Sequence, residues 1–335
     1  MNILDKLFLY SSSYIYRFIR KVKNTISSSN RSQPSLIYNG YCQYIDQEGN
    51  DAILSSLESY KGGGFMISKF GTIELSQIVA YIMDTKTLTW RERWNIINQN
   101  YHLSNKKLYK MLCENAGVFP ATKVVAHKFA RQALIDSGLI DILGSYIKNE
   151  DVVSDNLKTS LKVNLDAFYA PFLWKRPWTK WLEGKHVLII HPFVESIEAQ
   201  YKNNREKLFD NPNVLPKFAS LQCIKAVQSQ AGEETKFQDW FEALQFMEDE
   251  IDKYSYDVAI IGCGAYGMSL AAYVKRQGKV AIHLAGWTQM LFGVYGNRWL
   301  RDQPQYAKFI NKYWVRPNET ERIKNGQRIE NACYW

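Results

Sequence analysis

Three glycines, Gly262, Gly264 and Gly267, follow the apolar run Asp257-Val258-Ala259-Ile260-Ile261 and open a stretch that reads as a helix. A G-x-G-x-x-G pattern in that position has a physical use. Residues without a Cβ let the backbone close on a diphosphate, and the helix start supplies unpaired N–H groups at the positive end of its dipole. Ala265 and Tyr266 complete the turn and belong to the same candidate site. A dinucleotide such as NAD would also want a carboxylate about 20 residues further on, at the end of the next strand, to hold its ribose. That strand ends Ala281-Ile282-His283-Leu284 without one, and little chain follows for a second nucleotide-binding half. The expectation is a nucleoside diphosphate and no NAD, with a ligand-free packing turn as the alternative.

Two further groups carry chemistry by type and place. Lys69-Phe70-Gly71-Thr72-Ile73-Glu74-Leu75 follows an apolar strand and leads into a helical pattern through Ile78, Val79 and Ile82. A carboxylate at such a turn, beside glycine, can reach a metal, a sugar hydroxyl or an acceptor proton. It can equally serve as a first-turn acid that complements the helix dipole, with Thr72 as the expected N-cap. His191, before Pro192, stands at the carboxyl end of the strand Lys185–Ile190, where open α/β sheets bind ligands; imidazole suits proton transfer near neutrality, or a structural hydrogen bond. Gln228 and Gln230 gather at another strand end. The segment from Gly286 through Gln289 to Arg298 mixes glycine, rings and amides, which suits stacking and hydroxyl recognition, with Arg298 available to a phosphate.

The elements that must position these groups follow from periodicity. Strands Phe65–Phe70, Lys185–Ile190, Ala219–Gln228, Asp257–Ile261 and Lys279–Leu284 alternate with helical stretches at Glu195–Phe209, Phe237–Tyr254 and through Lys275. Residues 104–147 read as mostly helical, broken near Gly117–Pro120 and at Gly138. Strands and helices in alternation imply βαβ crossovers, so the expected fold is α/β, a Rossmann-like parallel sheet flanked by helices. The division is 1–34, an amphipathic helix and Ser-rich linker; 35–175, a first half with a helical insertion; and 176–335, the nucleotide-binding half.

Composition narrows the classes. With 16 Phe, 21 Tyr and 10 Trp in 335 residues the chain has too much apolar surface to stay disordered, and no run is long enough to span a bilayer. The five cysteines are scattered, without a C-x-x-C pair, as in a reduced cytosolic protein. The net charge of +9 concentrates at the ends. Leu4, Leu7, Phe8, Tyr14, Ile15, Phe18, Ile19 and Val22 fall on one helical face, with Arg17, Arg20, Lys21 and Lys23 beside them. That pattern fits an interfacial helix on anionic lipid through residues 1–25, or a helix packed on its own domain. No nucleic-acid motif is visible.

Asp257 to Gly286, taken with Lys69 to Leu75, resembles the bacterial GT-D-type glycosyltransferases of surface-glycan gene clusters. In that family an early R-F-G-D-G-E-like motif supplies an Asp-x-Glu pair for a divalent metal. A late G-P-x-A-x-x-L-A-like turn holds the nucleotide of a UDP-sugar. The resemblance implies a nucleotide-sugar site over Lys69, Phe70, Gly71, Thr72, Gly262, Gly264, Ala265, Tyr266, Gly267, His283, Gly286, Gln289 and Arg298. Thr72 stands where the first acid belongs, which leaves Glu74 alone to hold Mn²⁺ or Mg²⁺, and His283 and Gly286 stand roughly at the family's later Asp and His.

The expected function is transfer of a sugar from a nucleotide-diphosphate sugar to a glycan or lipid-linked acceptor in bacterial surface polysaccharide synthesis, with Glu74 or His191 as base. The expected place is cytoplasmic, peripheral at the inner face of the plasma membrane. A non-catalytic nucleotide-sugar-binding or scaffold protein of the same pathway is the alternative. Deleting residues 1–30 is expected to release the protein from anionic vesicles while leaving activity on a soluble acceptor intact; unchanged vesicle binding would refute the lipid role of that segment.

Overall fold

Short apolar runs bounded by glycine, and amphipathic stretches between them, become strands and helices as period and length dictate. The computed structural model describes residues 42–98, 105–157, 160–322, 325–329 and 332–335, so the expected amphipathic helix lies outside the described residues. In chain order the elements are α1 (Asp46–Glu58), β1 (Phe65–Ser68), α2 (Thr72–Thr85), α3 (Trp90–Asn98), α4 (Lys106–Ala116), α5 (Lys123–Ser137), β2 (Ile142–Ser145), β3 (Leu161–Asn164) and α6 (Leu165–Tyr169). There follow β4 (His186–His191), α7 (Val194–Asn204), β5 (Ser220–Lys225), α8 (Trp240–Ile251), β6 (Val258–Ile261), α9 (Tyr266–Arg276), β7 (Val280–His283) and α10 (Trp287–Leu291). Among the described residues no helix is long and apolar enough to cross a membrane.

The seven strands among the described residues form one parallel sheet in the order β3-β2-β1-β7-β6-β4-β5. The expected α/β fold with a parallel sheet is therefore present, and the halves 35–175 and 176–335 meet inside it where β1 pairs with β7. Four-residue β2 and β3 were not legible from periodicity. Ile142-Leu143-Gly144-Ser145 continues a stretch that reads as helix, and too few residues alternate to show a period of two.

The central strands are apolar throughout because helices cover both faces. Successive side chains point to opposite sides. Met66, Leu188, Ile190, Ala259, Ile261 and Ala281 enter one core with Leu75, Ile78, Phe129, Trp240, Tyr266 and Leu270. Ile67, Val187, Ile189, Val258, Ile260, Val280 and Ile282 enter the other, with Leu54, Phe168, Trp178, Ile197, Met290 and Trp299. Each large aliphatic side chain buried there contributes roughly 1.5–3 kcal/mol.

Strand order locates the ligand crevice. After β4 the chain runs outward to β5 through α7, whose Ile197 packs in the second core, whereas after β6 it runs the other way to β7 through α9, in the first core. Reversing direction and face together keeps the crossovers of one hand. It also parts the chain above the carboxyl ends of neighbouring β4 and β6, where open α/β sheets leave a crevice for ligands.

One charge cluster lies away from that crevice. Burial raises the Glu248 carboxyl on α8 from its ordinary 4.5 to about 7; Arg276 opposes this, and Asp136, Asp249 and Asp252 add to it. Glu248 therefore binds its proton more tightly in the folded than in the unfolded chain. Its contribution is fully present below about pH 4.5 and is lost as pH rises through about 7. Glu248→Gln should raise the urea midpoint at pH 8 and flatten its fall between those values; an unchanged pH profile would remove Glu248 as the cause.

Candidate functional site

The site is built at the ends of β1, β4, β6 and β7. β4 ends at His191, whose Nδ1 accepts the Phe193 N–H at 3.0 Å, so the ring proton of the neutral imidazole is on Nε2. Burial pushes its pKa down to about 3, and His191 lines the crevice as a neutral hydrogen-bond donor. The nitrogen with a lone pair is engaged by the backbone, so this geometry presents His191 to the crevice as a donor, whereas the sequence expectation was a base. β7 ends at His283, likewise held neutral, with a pKa near 3, by burial and then by the nearby Lys69 charge. Its Nδ1 meets the Ser68 hydroxyl of β1 at 2.9 Å, while its buried Nε2 has no hydrogen-bond partner.

Between those histidines runs the turn from β6 into α9, and each of its glycines is required by packing. A Cβ on Gly262 would stand 2.6 Å from the Thr288 hydroxyl and 2.7 Å from the His191 ring. Gly264 has φ +60° and would bring a Cβ to 3.1 Å from the Gln230 amide and 3.2 Å from the Ala116 carbonyl. On Gly267 a Cβ would overlap the His283 ring. The Ala265 N–H, which a phosphate would want, already donates to the Ala116 carbonyl at 3.2 Å, and Gly267 N–H donates to Gly264. The glycine pattern thus has the contacts of a packing turn, and the open space lies beside it.

That space is a cavity of about 530 Å³, its open mouth included, between the ends of β4 and β6. No charged side chain lines it: His191, Gln228, Ser229, Gln230, Tyr266, Gly286 and Gln289 form its wall, with Tyr334 and Trp335 closing it. The walls are tied down. Ser229 Oγ donates to the Gly117 carbonyl at 2.7 Å and meets the Tyr266 hydroxyl at 3.0 Å, and the Gln230 amide donates to the Asn115 carbonyl at 3.0 Å. Gln289 Nε2 donates to the Tyr334 carbonyl at 3.2 Å, leaving its buried Oε1 without a hydrogen-bond partner. Amides, hydroxyls and rings without charge suit a flat, hydroxyl-bearing group.

A smaller pocket of about 290 Å³ lies across Gly264, at the end of β1. Lys69, Phe70, Gly71, Glu74, Ala265 and His283 line it, with Phe129 and Ala133 of α5. Gly71, not Thr72, is the N-cap of α2, so Glu74 falls in the first turn and its carboxylate folds back over Gly71 where a Cβ would otherwise be. The Thr72 hydroxyl lies 3.3 Å from that of Tyr146, which donates to the Phe70 carbonyl at 3.0 Å. Tyr169 is buried and Tyr146 partly so; desolvation is the chief cause that raises both hydroxyl pKa values, and the Lys69 ammonium lies 5.7 Å from the Tyr146 ring centre.

Most of the expected residues therefore fall on two adjoining concavities that share Gly264. Thr72, Gly267 and Arg298 are set back from them. The Arg298 guanidinium lies 4.5 Å over the Tyr334 ring and reaches Cys333 Sγ at 3.3 Å. Tyr146, Tyr169, Ser229, Tyr334 and Trp335 had no signal in the sequence, because each is an isolated residue brought in by the fold. For a divalent cation the donor set does not fit. Glu74 is the one carboxylate in its pocket and Lys69 faces the same space. Among the described residues no three His, Cys, Asp or Glu side chains gather as ligands. The chain matches no family model, no curated protein and no solved structure.

Two glycine substitutions separate packing from chemistry. Gly267→Ala forces the buried His283 ring aside and should cost about 1–3 kcal/mol of stability by denaturant unfolding. Gly71→Ala displaces only the end of the Glu74 side chain, so its unfolding midpoint should stay close to that of the parent. Equal losses in the two variants would contradict this assignment.

Proposed function

We propose that the chain is a glycosyltransferase that takes a sugar from a nucleoside diphosphate, with UDP the favoured carrier, and passes it to a hydroxyl of a glycan or lipid-linked acceptor. The observation that carries the reading is the meeting at Gly264 of an uncharged amide- and ring-lined cavity with a pocket holding Lys69 and Glu74. The nucleoside occupies the cavity, where Gln228, Gln230, Gln289 and the Nε2–H of His191 offer hydrogen bonds. The diphosphate crosses Gly264 toward Lys69, and the sugar lies by Glu74. The resemblance of 257–286 and 69–75 to GT-D-type enzymes supports the same division, as does the crevice at the carboxyl edge of the sheet.

The chemistry uses this chain's own groups. Glu74 accepts the proton of the acceptor hydroxyl as its oxygen bonds to the anomeric carbon. The bond from that carbon to the phosphate oxygen breaks, and the electron pair leaves on the diphosphate, where the Lys69 ammonium offsets the new charge. His191 contributes a hydrogen bond from a ring that stays neutral across the physiological range. No step is assigned to a metal, because the donors around Glu74 do not fit one. The reading places the enzyme at the inner face of the bacterial plasma membrane, in surface polysaccharide synthesis.

Thr72, standing where the first acid of the resembled motif belongs, favours a second reading, a protein of the same pathway that binds the nucleotide sugar without turnover. Thermal shift against UDP and UDP-sugars, with and without Mn²⁺, combined with an assay of UDP release, separates the two. The enzyme is expected to be stabilised by UDP-sugar and to release UDP. Glu74→Gln should keep the thermal shift and lose activity by roughly 10²–10⁴-fold. A shift without UDP release would favour the binding protein, and stabilisation by NAD(H) alone, or by none of these ligands, would overturn both.

A further inference from the structure

Lys69 and Glu74 line one small pocket and carry opposite charges, yet among the described residues they form no ion pair. Opposite charges that share a space partly shielded from water attract strongly enough to pair unless each is held elsewhere. Glu74 has its own hold: its carboxylate folds over Gly71 in the first turn of α2, where the helix dipole favours it. The hold on Lys69 comes from distant parts of the chain.

The half-buried Lys69 ammonium is seated among neutral groups. Its 5.7 Å from the centre of the Tyr146 ring is within cation–π range. It hydrogen-bonds the Tyr169 hydroxyl, and its charge is felt at the His283 ring. Tyr146 donates its own hydroxyl proton to the Phe70 carbonyl at 3.0 Å, so the ring is what it offers the ammonium. Tyr169 is the last residue of α6 and is buried. Its ring stacks on Trp287 at 5.4 Å and leans on Phe168 at 5.5 Å, which fixes where the hydroxyl stands. Tyr306 meets Trp287 edge-on at 4.6 Å and braces it from another side. A phenol suits this place better than a carboxylate. Burial keeps the Tyr169 hydroxyl protonated, so it accepts a hydrogen bond from the ammonium without cancelling its charge. A half-buried cation in such a seat lacks a counter-charge, and an anionic group on a ligand supplies one.

We propose that Tyr169 is a positioning residue. Its hydroxyl, together with the ring face of Tyr146, holds the Lys69 ammonium apart from Glu74 and leaves it to the diphosphate end of the ligand. The assignment rests on the reading of this pocket as the diphosphate site. It adds the reason why a cation and a base can share that pocket without neutralising each other, and its test needs no turnover.

The experiment is calorimetric titration of the full chain with UDP and with uridine, which lacks the diphosphate. The parent is expected to bind UDP the more tightly. Tyr169→Phe keeps a ring on Trp287 and removes only the hydroxyl. It should cut the preference for UDP about tenfold and leave uridine affinity as in the parent. Lys69→Met should cut the preference at least as far. Adding Tyr169→Phe to Lys69→Met should cost nothing more, because the hydroxyl acts through the ammonium. The proposal is overturned if the preference survives Tyr169→Phe, or if uridine affinity falls as much as that for UDP. It is also overturned if Tyr169→Phe weakens UDP binding equally with Lys69→Met already in place, the result of a purely structural role. A parent that binds UDP no tighter than uridine overturns the reading of the pocket, and the proposal with it.

Discussion

The turn out of β6 is the constraint on which the rest of the structure depends. A fully buried strand must leave the sheet and enter α9 while β4, β7 and α4 all press on the same few residues. Protein interiors are packed as densely as organic crystals, so there is no slack to absorb a methyl group. Gly262 yields its Cβ space to His191 and Thr288, Gly264 takes a left-handed conformation under the Ala116 carbonyl, and Gly267 admits the His283 ring. These accommodations bring the ends of β1, β4, β6 and β7 close enough to make one groove, and they account for the cavity lying beside the turn.

The groove is divided by polarity, and the division has a physical origin. On the β4 side the conditions that would charge a histidine are missing, since burial penalises the imidazolium and no Asp or Glu side chain lines the cavity. That wall presents neutral donors and acceptors. On the β1 side Lys69 and Glu74 keep their place at the opening of α2, where the chain leaves the sheet and the side chains reach the pocket. A ligand with a neutral, flat end and an anionic end matches this order of environments better than a uniformly charged or uniformly apolar one.

The groove is closed by chain from far along the sequence. Gln289 donates to the Tyr334 carbonyl, Asn297 N–H to the Trp335 carbonyl at 3.0 Å, and Arg298 N–H to the Cys333 carbonyl at 2.8 Å. Gly286 leaves room for the Tyr334 ring, and Gly296 for the backbone beside it. The glycine- and ring-rich stretch after β7 is therefore the seat for residues 332–335, which form a wall of the cavity. Arg298 serves this closure through the Tyr334 ring and is set back from the pocket that holds Lys69.

Local pattern determined a good part of this molecule. Strands at β1 and β4 to β7, the helices between them, the parallel sheet and the positions of Glu74, His191 and the glycine turn at element ends were all legible, because a period of two or of 3.6 and the punctuation of Gly and Pro are properties of neighbouring residues. What tertiary structure alone decided was of another kind. It set the strand order that opens the crevice between β4 and β6, and the short strands β2 and β3 that contacts, rather than periodicity, define. It also set the protonation of the two histidines and the arrival of Tyr146, Tyr169, Tyr334 and Trp335. Those depend on which residues meet across distances of tens to hundreds of positions, and on how much water each loses there. A glycine read as making room for phosphate proves to make room for an imidazole, because the residue type records that space is needed and only packing decides what fills it.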